Sequence, residues 1–278
     1  MNYRYSFMRF PEGKLKAVTF SYDDGVRQDD RLIEVFDKYG MKATFNINGA
    51  FFGASRTGDL GEDRSRLTVE EGMEVYKNHE IALHSYTHPF MEQIPHDTMA
   101  FEIVKDRERL ESAFGRIIKG MAYPMGTTSD EVVEVLKACG VVYSRTTVQT
   151  ERFGLPTDWL RLPSTCHHNN KRVFELIDAF TQKDVYRAPE LFYIWGHSYE
   201  FDRNDNWDRI EDICKKLSGK ENVWYATNME IYEYIEAYKR LKTSADGKIF
   251  YNPTNTTLYF CDQDLNKYVV APGGTIRI

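Results

Sequence analysis

The chain of 278 residues has no long apolar run, no paired-cysteine motif and no excess of basic charge. No stretch approaches the length that crosses a bilayer. Residues 1–7 hold no apolar core of signal-peptide size. A cytoplasmic protein is therefore expected, with secretion open only if a leader has been removed. Cys139, Cys166, Cys214 and Cys261 are far apart and form no Cys-x-x-Cys pair; they read as reduced thiols without disulfide or metal roles. A net charge of −6 and a pI near 5.7 argue against nucleic-acid and anionic-membrane partners. There is no internal repeat and no low-complexity segment, and oligomeric state leaves no mark. What is present is ample core material, with 42% hydrophobic residues.

Short apolar runs alternate with amphipathic stretches. The expected strands are 17–20, 43–47, 81–83, 121–123, 141–143, 159–162, 192–195 and 223–226. Helices are expected over 30–39, 69–78, 98–114, 130–139, 171–180, 207–217 and 229–241. This alternation predicts an α/β fold with parallel strands, a distorted (β/α)7-8 barrel. Gly40 and Gly140 follow helices where a left-handed cap is wanted, and Thr68 with Glu71 has capping-box spacing. From about residue 244 the helical period stops, and 248–251, 257–260, 268–270 and 275–278 read as short strands between turns. The expected organisation is a barrel over 1–243 and a small antiparallel β appendage over 244–278, packed on it. Thirty-odd residues are too few for an independent core.

Reactive groups of a parallel barrel gather at the carboxyl ends of its strands. Asp23-Asp24-Gly25 follows the first apolar run, and His84-Ser85-Tyr86-Thr87-His88 follows the third. Tyr123-Pro124-Met125-Gly126 and Trp195-Gly196-His197-Ser198 follow later ones. Pro89 disfavours helix at His88, which places the histidines in a strand-end loop. Two neutral imidazoles and one carboxylate hold a zinc-like ion and leave positions open for water and substrate. The second carboxylate is then free to act as a base.

These motifs resemble those of the polysaccharide deacetylase family, carbohydrate esterase family 4. The family's Thr-Phe-Asp-Asp-Gly block is matched, with two extra residues, by Thr19-Phe20-Ser21-Tyr22-Asp23-Asp24-Gly25. Its His-Ser/Thr-x-x-His motif is matched by His84 through His88, and Ala43-Thr44-Phe45 is similar to its second strand. The resemblance covers roughly 15–240. It implies that Asp24, His84 and His88 bind a divalent metal, zinc first, with cobalt, nickel or iron as alternatives. It further implies Asp23 as general base, the Met125 N–H as oxyanion donor and His197 as the acid that protonates the leaving group.

The later motifs depart. Where the family has Arg-x-Pro-Tyr, this chain has Ala122-Tyr123-Pro124-Met125. The arginine that partners the base is gone, and Arg145, one strand later, is the candidate replacement. Asp158 and Asp202 are rival partners for His197. Beside these readings stand blander ones: His197 as a structural histidine, His167-His168 as an exposed loop or a rim element, His79 and His96 as surface residues, and Trp195 as core. Asn46 and Asn48 receive no role. The expected activity is metal-dependent removal of acetyl groups, N-acetyl foremost, from a soluble saccharide or sugar conjugate. In class terms this is a hydrolase of carbon–nitrogen bonds in linear amides. The alternatives are a hydrolase of non-sugar amides or cyclic imides on the same barrel, and a non-catalytic metal- or carbohydrate-binding barrel.

Overall fold

The computed structural model describes residues 7–185 and 187–278; residues 1–6, most of the opening read above for a leader, and Tyr186 lie outside the described residues. After β1 (Met8–Arg9) come the parallel strands: β2 (Lys16–Asp23), β3 (Ala43–Ile47), β4 (Glu80–Leu83), β5 (Gly120–Ala122), β6 (Tyr143–Gln149), β7 (Leu162–Ser164), β8 (Cys166–His167), β9 (Glu190–Gly196) and β10 (Val223–Tyr225). The helices are α1 (Gln28–Tyr39), α2 (Val69–Val75), α3 (His96–Phe114), α4 (Asp130–Ala138), α5 (Val173–Gln182), α6 (Tyr199–Arg203), α7 (Trp207–Leu217) and α8 (Asn228–Lys239).

Strand order is β7-β6-β5-β4-β3-β2-β9-β8, with β10 beside the start of β2. Only Thr165 separates β7 from β8, so one extended segment pairs with β6 on one side and β9 on the other. At the junction the Glu151 N–H donates to the Thr165 carbonyl and the Thr165 N–H to the Tyr193 carbonyl, each at 2.9 Å. This segment closes the sheet into a barrel. β2 is buried along its whole length, as a parallel strand covered on both faces must be. Val18, Phe20 and Tyr22 pack under the helices against Leu32 and Phe36. The alternate residues Ala17, Thr19, Ser21 and Asp23 face the lumen, by the two-residue period of a strand.

The N-terminus of α8 plugs the lower end. Thr227 forms a capping box with Glu230. The Asn228 N–H donates to Thr44 Oγ1 (3.0 Å), Asn228 Nδ2 donates to the Tyr193 hydroxyl (2.8 Å), and Thr19 Oγ1 donates to Asn228 Oδ1 (3.0 Å). Glu80 accepts from the Met229 N–H, Thr44 Oγ1 and the Tyr143 hydroxyl at 2.9, 2.7 and 2.5 Å. The tail supplies β11 (Lys242–Thr243), β12 (Ile249–Tyr251), β13 (Leu258–Cys261), β14 (Lys267–Val270) and β15 (Thr275–Arg277). They form two antiparallel sheets, β11-β12-β15 and β1-β13-β14; the second recruits the start of the chain, with Met8 opposite Phe260. Phe250, Leu258 and Phe260 share one apolar cluster with Phe10, Tyr234 and Ala17 beneath the barrel.

Gly40 and Gly140 take the left-handed conformation, and Thr68 makes its capping box. Three expected elements move. The strand expected at 141–143 begins at Tyr143, because the Val141 N–H is spent on the Leu136 carbonyl at the end of α4. Residues 159–161 form a 3-10 turn capped by Asp158, so pairing starts only at Leu162. The helix expected to reach 78 stops at Val75. Among the described residues no helix is long and apolar enough to cross a membrane.

Candidate metal centre and active site

A cavity of about 310 Å³ opens at the carboxyl ends of the strands, and Asp23, Asp24, His84, His88, Arg145 and His197 all line it. Asp23 is the last residue of β2. Asp24 follows in the left-handed region (φ 84°), with its N–H held by the Asn46 carbonyl at 2.9 Å. Ser85 (φ 58°) and His88 (φ 60°) are also left-handed. Such residues cost roughly 1–2 kcal/mol apiece and persist where their surroundings fix them. Here the surroundings are explicit. Asp106 accepts from the His84 N–H (3.1 Å), Glu102 accepts from the Thr87 N–H (2.7 Å), and Asn48 Nδ2 donates to the carbonyls of His84 (2.6 Å) and Ser85 (2.9 Å).

The donor set suits a divalent cation. Asp24 Oδ1 lies 3.8 Å from His84 Nε2 and 3.8 Å from His88 Nε2. Metal–ligand bonds of about 2.0–2.2 Å bridge such separations. His84 Nδ1 is 2.8 Å from the Ala122 carbonyl, which can only accept, so Nδ1 carries the proton and the Nε2 lone pair faces Asp24. Burial depresses the His84 pKa to about 4 and lowers that of His88, keeping both rings neutral near pH 7. Burial alone would raise the Asp24 carboxyl, but the surrounding positive charge, Arg66 first, outweighs it and holds it ionised. Arg66 approaches the other oxygen, Oδ2, at 3.7 Å, leaving Oδ1 to the histidines.

Asp23 belongs to a separate arrangement. One Arg145 amino group bonds both of its carboxylate oxygens, and Asn46 Nδ2 donates to Oδ1 at 2.8 Å. The Arg145 guanidinium lies 4.4 Å from the centre of the Trp195 ring. Burial pushes the Asp23 pKa up, but the surrounding positive charge, Arg145 first, more than offsets it, so the group is ionised. His197 Nε2 lies 3.9 Å from Asp23 Oδ2. Burial disfavours the His197 cation, yet Glu200, Asp24 and Asp23 together raise its pKa above the ordinary histidine value.

His197 takes its partner from neither residue expected from the sequence. Its Nδ1 is 3.6 Å from Glu200 Oε1, an ion-pair distance rather than a hydrogen bond. Asp158 is spent on the Leu160 N–H and Arg161. Asp202 accepts from Gln28 and Trp207. The reading of His167-His168 as an exposed loop is also corrected: His168 is fully buried, and both Nε2 atoms lie 3.1 Å from Glu200 Oε2. His79 is likewise buried, between Phe36 and Phe45, with Nδ1 accepting from the Ala43 N–H, whereas His96 is exposed. Trp195, expected in the core, is buried but also walls the cavity. Met125 lines it too, in a left-handed turn (φ 57°) after Pro124. Arg66, Asn46 and Glu200 had no assigned role. Glu200 had a local signal, the i,i+3 spacing from His197 at the start of a helix.

The sequence profile described as polysaccharide deacetylase matches residues 10–144, which contain Asp23, Asp24, His84 and His88. Residues 10–144 belong to the polysaccharide deacetylase family. Arg145, His197 and Glu200 lie beyond the matched residues. No curated protein matches the chain. A Mycobacterium smegmatis structure described as a polysaccharide deacetylase shares its fold, at 16% identity and TM-score 0.59 over 84% of this chain and 94% of that one. A family 4 carbohydrate esterase from Streptomyces lividans, in complex with acetate, gives 17%, 0.49, 77% and 92% for the same quantities. A Streptococcus pyogenes deacetylase in complex with acetate gives 20%, 0.43, 51% and 62%, so the chain spans less than two thirds of that protein.

Proposed function

We propose that this protein is a metal-dependent hydrolase that removes the acetyl group from an N-acetylated carbohydrate. The observation that carries the reading is the sharing of one cavity by an ionised Asp24 with two neutral imidazoles and by an ionised Asp23 3.9 Å from His197, whose pKa its acidic neighbours raise. A divalent cation held by Asp24, His84 and His88, zinc foremost, would supply a Lewis acid that acidifies water and polarises the acetyl carbonyl. Cobalt, nickel and iron suit the same donors.

The chain's own groups do the rest. Asp23 is fixed by Arg145 and Asn46 and accepts a proton from the attacking water. The water oxygen bonds to the acetyl carbon while the carbonyl oxygen gains charge, and the Met125 N–H is the candidate donor to it. When the C–N bond breaks, His197 delivers its Nε2 proton to the nitrogen, which would otherwise leave as an unstable amide anion. Acetate and the free amine result. Glu200, with Asp24 and Asp23, favours the protonated form of His197. Catalysis is confined to the barrel, and the β extension expected over 244–278 also takes in β11 (Lys242–Thr243) and pairs with β1 near the start of the described chain.

The test is acetate release by the metal-loaded protein over a panel of N- and O-acetylated sugars, with cyclic imides alongside and with Asp23→Asn and His84→Ala as controls. Acetate that both substitutions abolish supports the reading. No acetate from any sugar sinks it, and ring opening of an imide would replace it.

A further inference from the structure

Residues 53–67 form a hairpin over the cavity mouth. Its rungs run from the Gly53 N–H to the Leu67 carbonyl (2.9 Å), Arg66 to Ala54 (2.8 Å), Arg64 to Arg56 (2.8 Å) and Gly58 to Glu62 (2.8 Å). In this register Arg56 stands opposite Arg64. Arg64 and Arg66 are two residues apart and so share a face. All three arginines line the same cavity as the metal-ligand candidates.

Their charges are unequally matched. Arg145 is paired with Asp23, and Arg64 with Glu62 while its guanidinium lies 4.1 Å from the centre of the Tyr199 ring. Arg66 is only 5% exposed; it shares Asp24 at 3.7 Å, and its Nε has no hydrogen-bond acceptor. Arg56 is exposed and, among the described residues, has no carboxylate partner. A buried guanidinium N–H left unbonded is costly, and an unmatched arginine at a cavity mouth raises the local concentration of anions. Guanidinium forks match carboxylate and phosphate oxygens in pairs.

We infer that the Arg56–Arg64–Arg66 face of this hairpin binds an oxyanion, carboxylate or phosphate, carried by the acetylated sugar. The acetyl part of this statement rests on the deacetylase reading; the anion part does not. The hairpin thereby selects an acidic amino-sugar derivative over a neutral one, while the metal-ligand side of the cavity receives the acyl group.

The experiment titrates N-acetylglucosamine 6-phosphate, N-acetylmuramic acid and neutral N-acetylglucosamine calorimetrically into the metal-loaded protein, and follows acetate release separately. The wild type should bind at least one acidic sugar about tenfold or more tightly than the neutral one, as expected for a charge-assisted contact. The phosphate and carboxylate arms identify which anion is preferred. Arg56→Gln should bring the acidic-to-neutral ratio toward one, and Arg56→Lys should keep part of it. Equal binding of all three sugars by the wild type overturns the inference. So does a ratio untouched by Arg56→Gln, which would place the anion on the metal instead. Discrimination without acetate release leaves the anion site standing and removes the deacetylase reading; acetate release without discrimination does the reverse.

Discussion

At the lower end of the barrel lumen, Thr44, Tyr143 and Tyr193 take part with Glu80 and Asn228 in a closed set of hydrogen bonds. Two residues further along the same three strands stand Asn46, Arg145 and Trp195, at the rim. Both layers are polar and deeply buried, and they differ in what closes them. The floor is completed by the N-terminus of α8, and none of its side-chain polar atoms is left unbonded among the described residues. At the rim, Asn46 Oδ1, Arg145 Nε and Nη1, Trp195 Nε1 and His197 Nδ1 have no hydrogen-bond partner. Unmade bonds of this kind cost about 1–3 kcal/mol each. Beside an open cavity, such atoms are available to a ligand. The floor is thus closed on itself, and the rim leaves polar atoms open beside the cavity.

The largest effect expected to test this contrast is at the rim. Asp23→Asn removes the base and should lower acetate release about 10²–10⁴-fold, measured on metal-loaded protein. Next, Arg145→Met leaves Asp23 as an uncompensated buried charge. Urea unfolding should show a loss of about 3–5 kcal/mol, and activity should fall with it. A loss below about 1 kcal/mol would mean that the rim pair is not a buried pair of this kind.

The floor should answer differently. Glu80→Ala strands three donors and should cost about 3 kcal/mol at roughly 1 kcal/mol per bond, with turnover per folded molecule within about twofold of the parent. A collapse of turnover comparable to that of Asp23→Asn would erase the distinction between the two ends.

The smallest effect concerns a satisfied carboxyl just behind the rim. Asp29 accepts from the Ser198 hydroxyl (2.6 Å) and the Tyr76 hydroxyl (2.7 Å), and burial raises its pKa from 3.8 to about 7. A raised folded pKa means that its stabilising contribution is complete below the unfolded value and is lost as pH rises through about 7. Asp29→Asn should therefore flatten the fall in Tm between pH 4 and pH 7. An unchanged slope would show that Asp29 does not carry it.

Much of the candidate metal-ligand half of the site was legible because it is local. Asp23 and Asp24 are adjacent, His84 and His88 are four apart, and each set closes an apolar run that had to be a strand. The alternation of strands and helices likewise exposed the barrel, since side-chain periodicity is a property of neighbouring residues. Boundaries were less legible where backbone groups were already committed, as at Val141, or where a polar cap intervened, as at Asp158.

The remaining contacts were decided by closure of the barrel. Arg145 was a candidate partner for Asp23 from its strand-end position, but 122 residues separate the two, and only the pairing of β2 through β6 makes them neighbours. Glu200 lies three residues from His197, yet its claim over Asp202 and Asp158 depended on the turn of a five-residue helix. The hairpin arginines drew no attention as a sequence, because their common face exists only once residues 53–67 fold back on themselves. The sequence by itself determined which chemistry could assemble at the strand ends. Tertiary structure decided which charges would be paired there and which left open, because pairing depends on distances between segments that local periodicity does not encode.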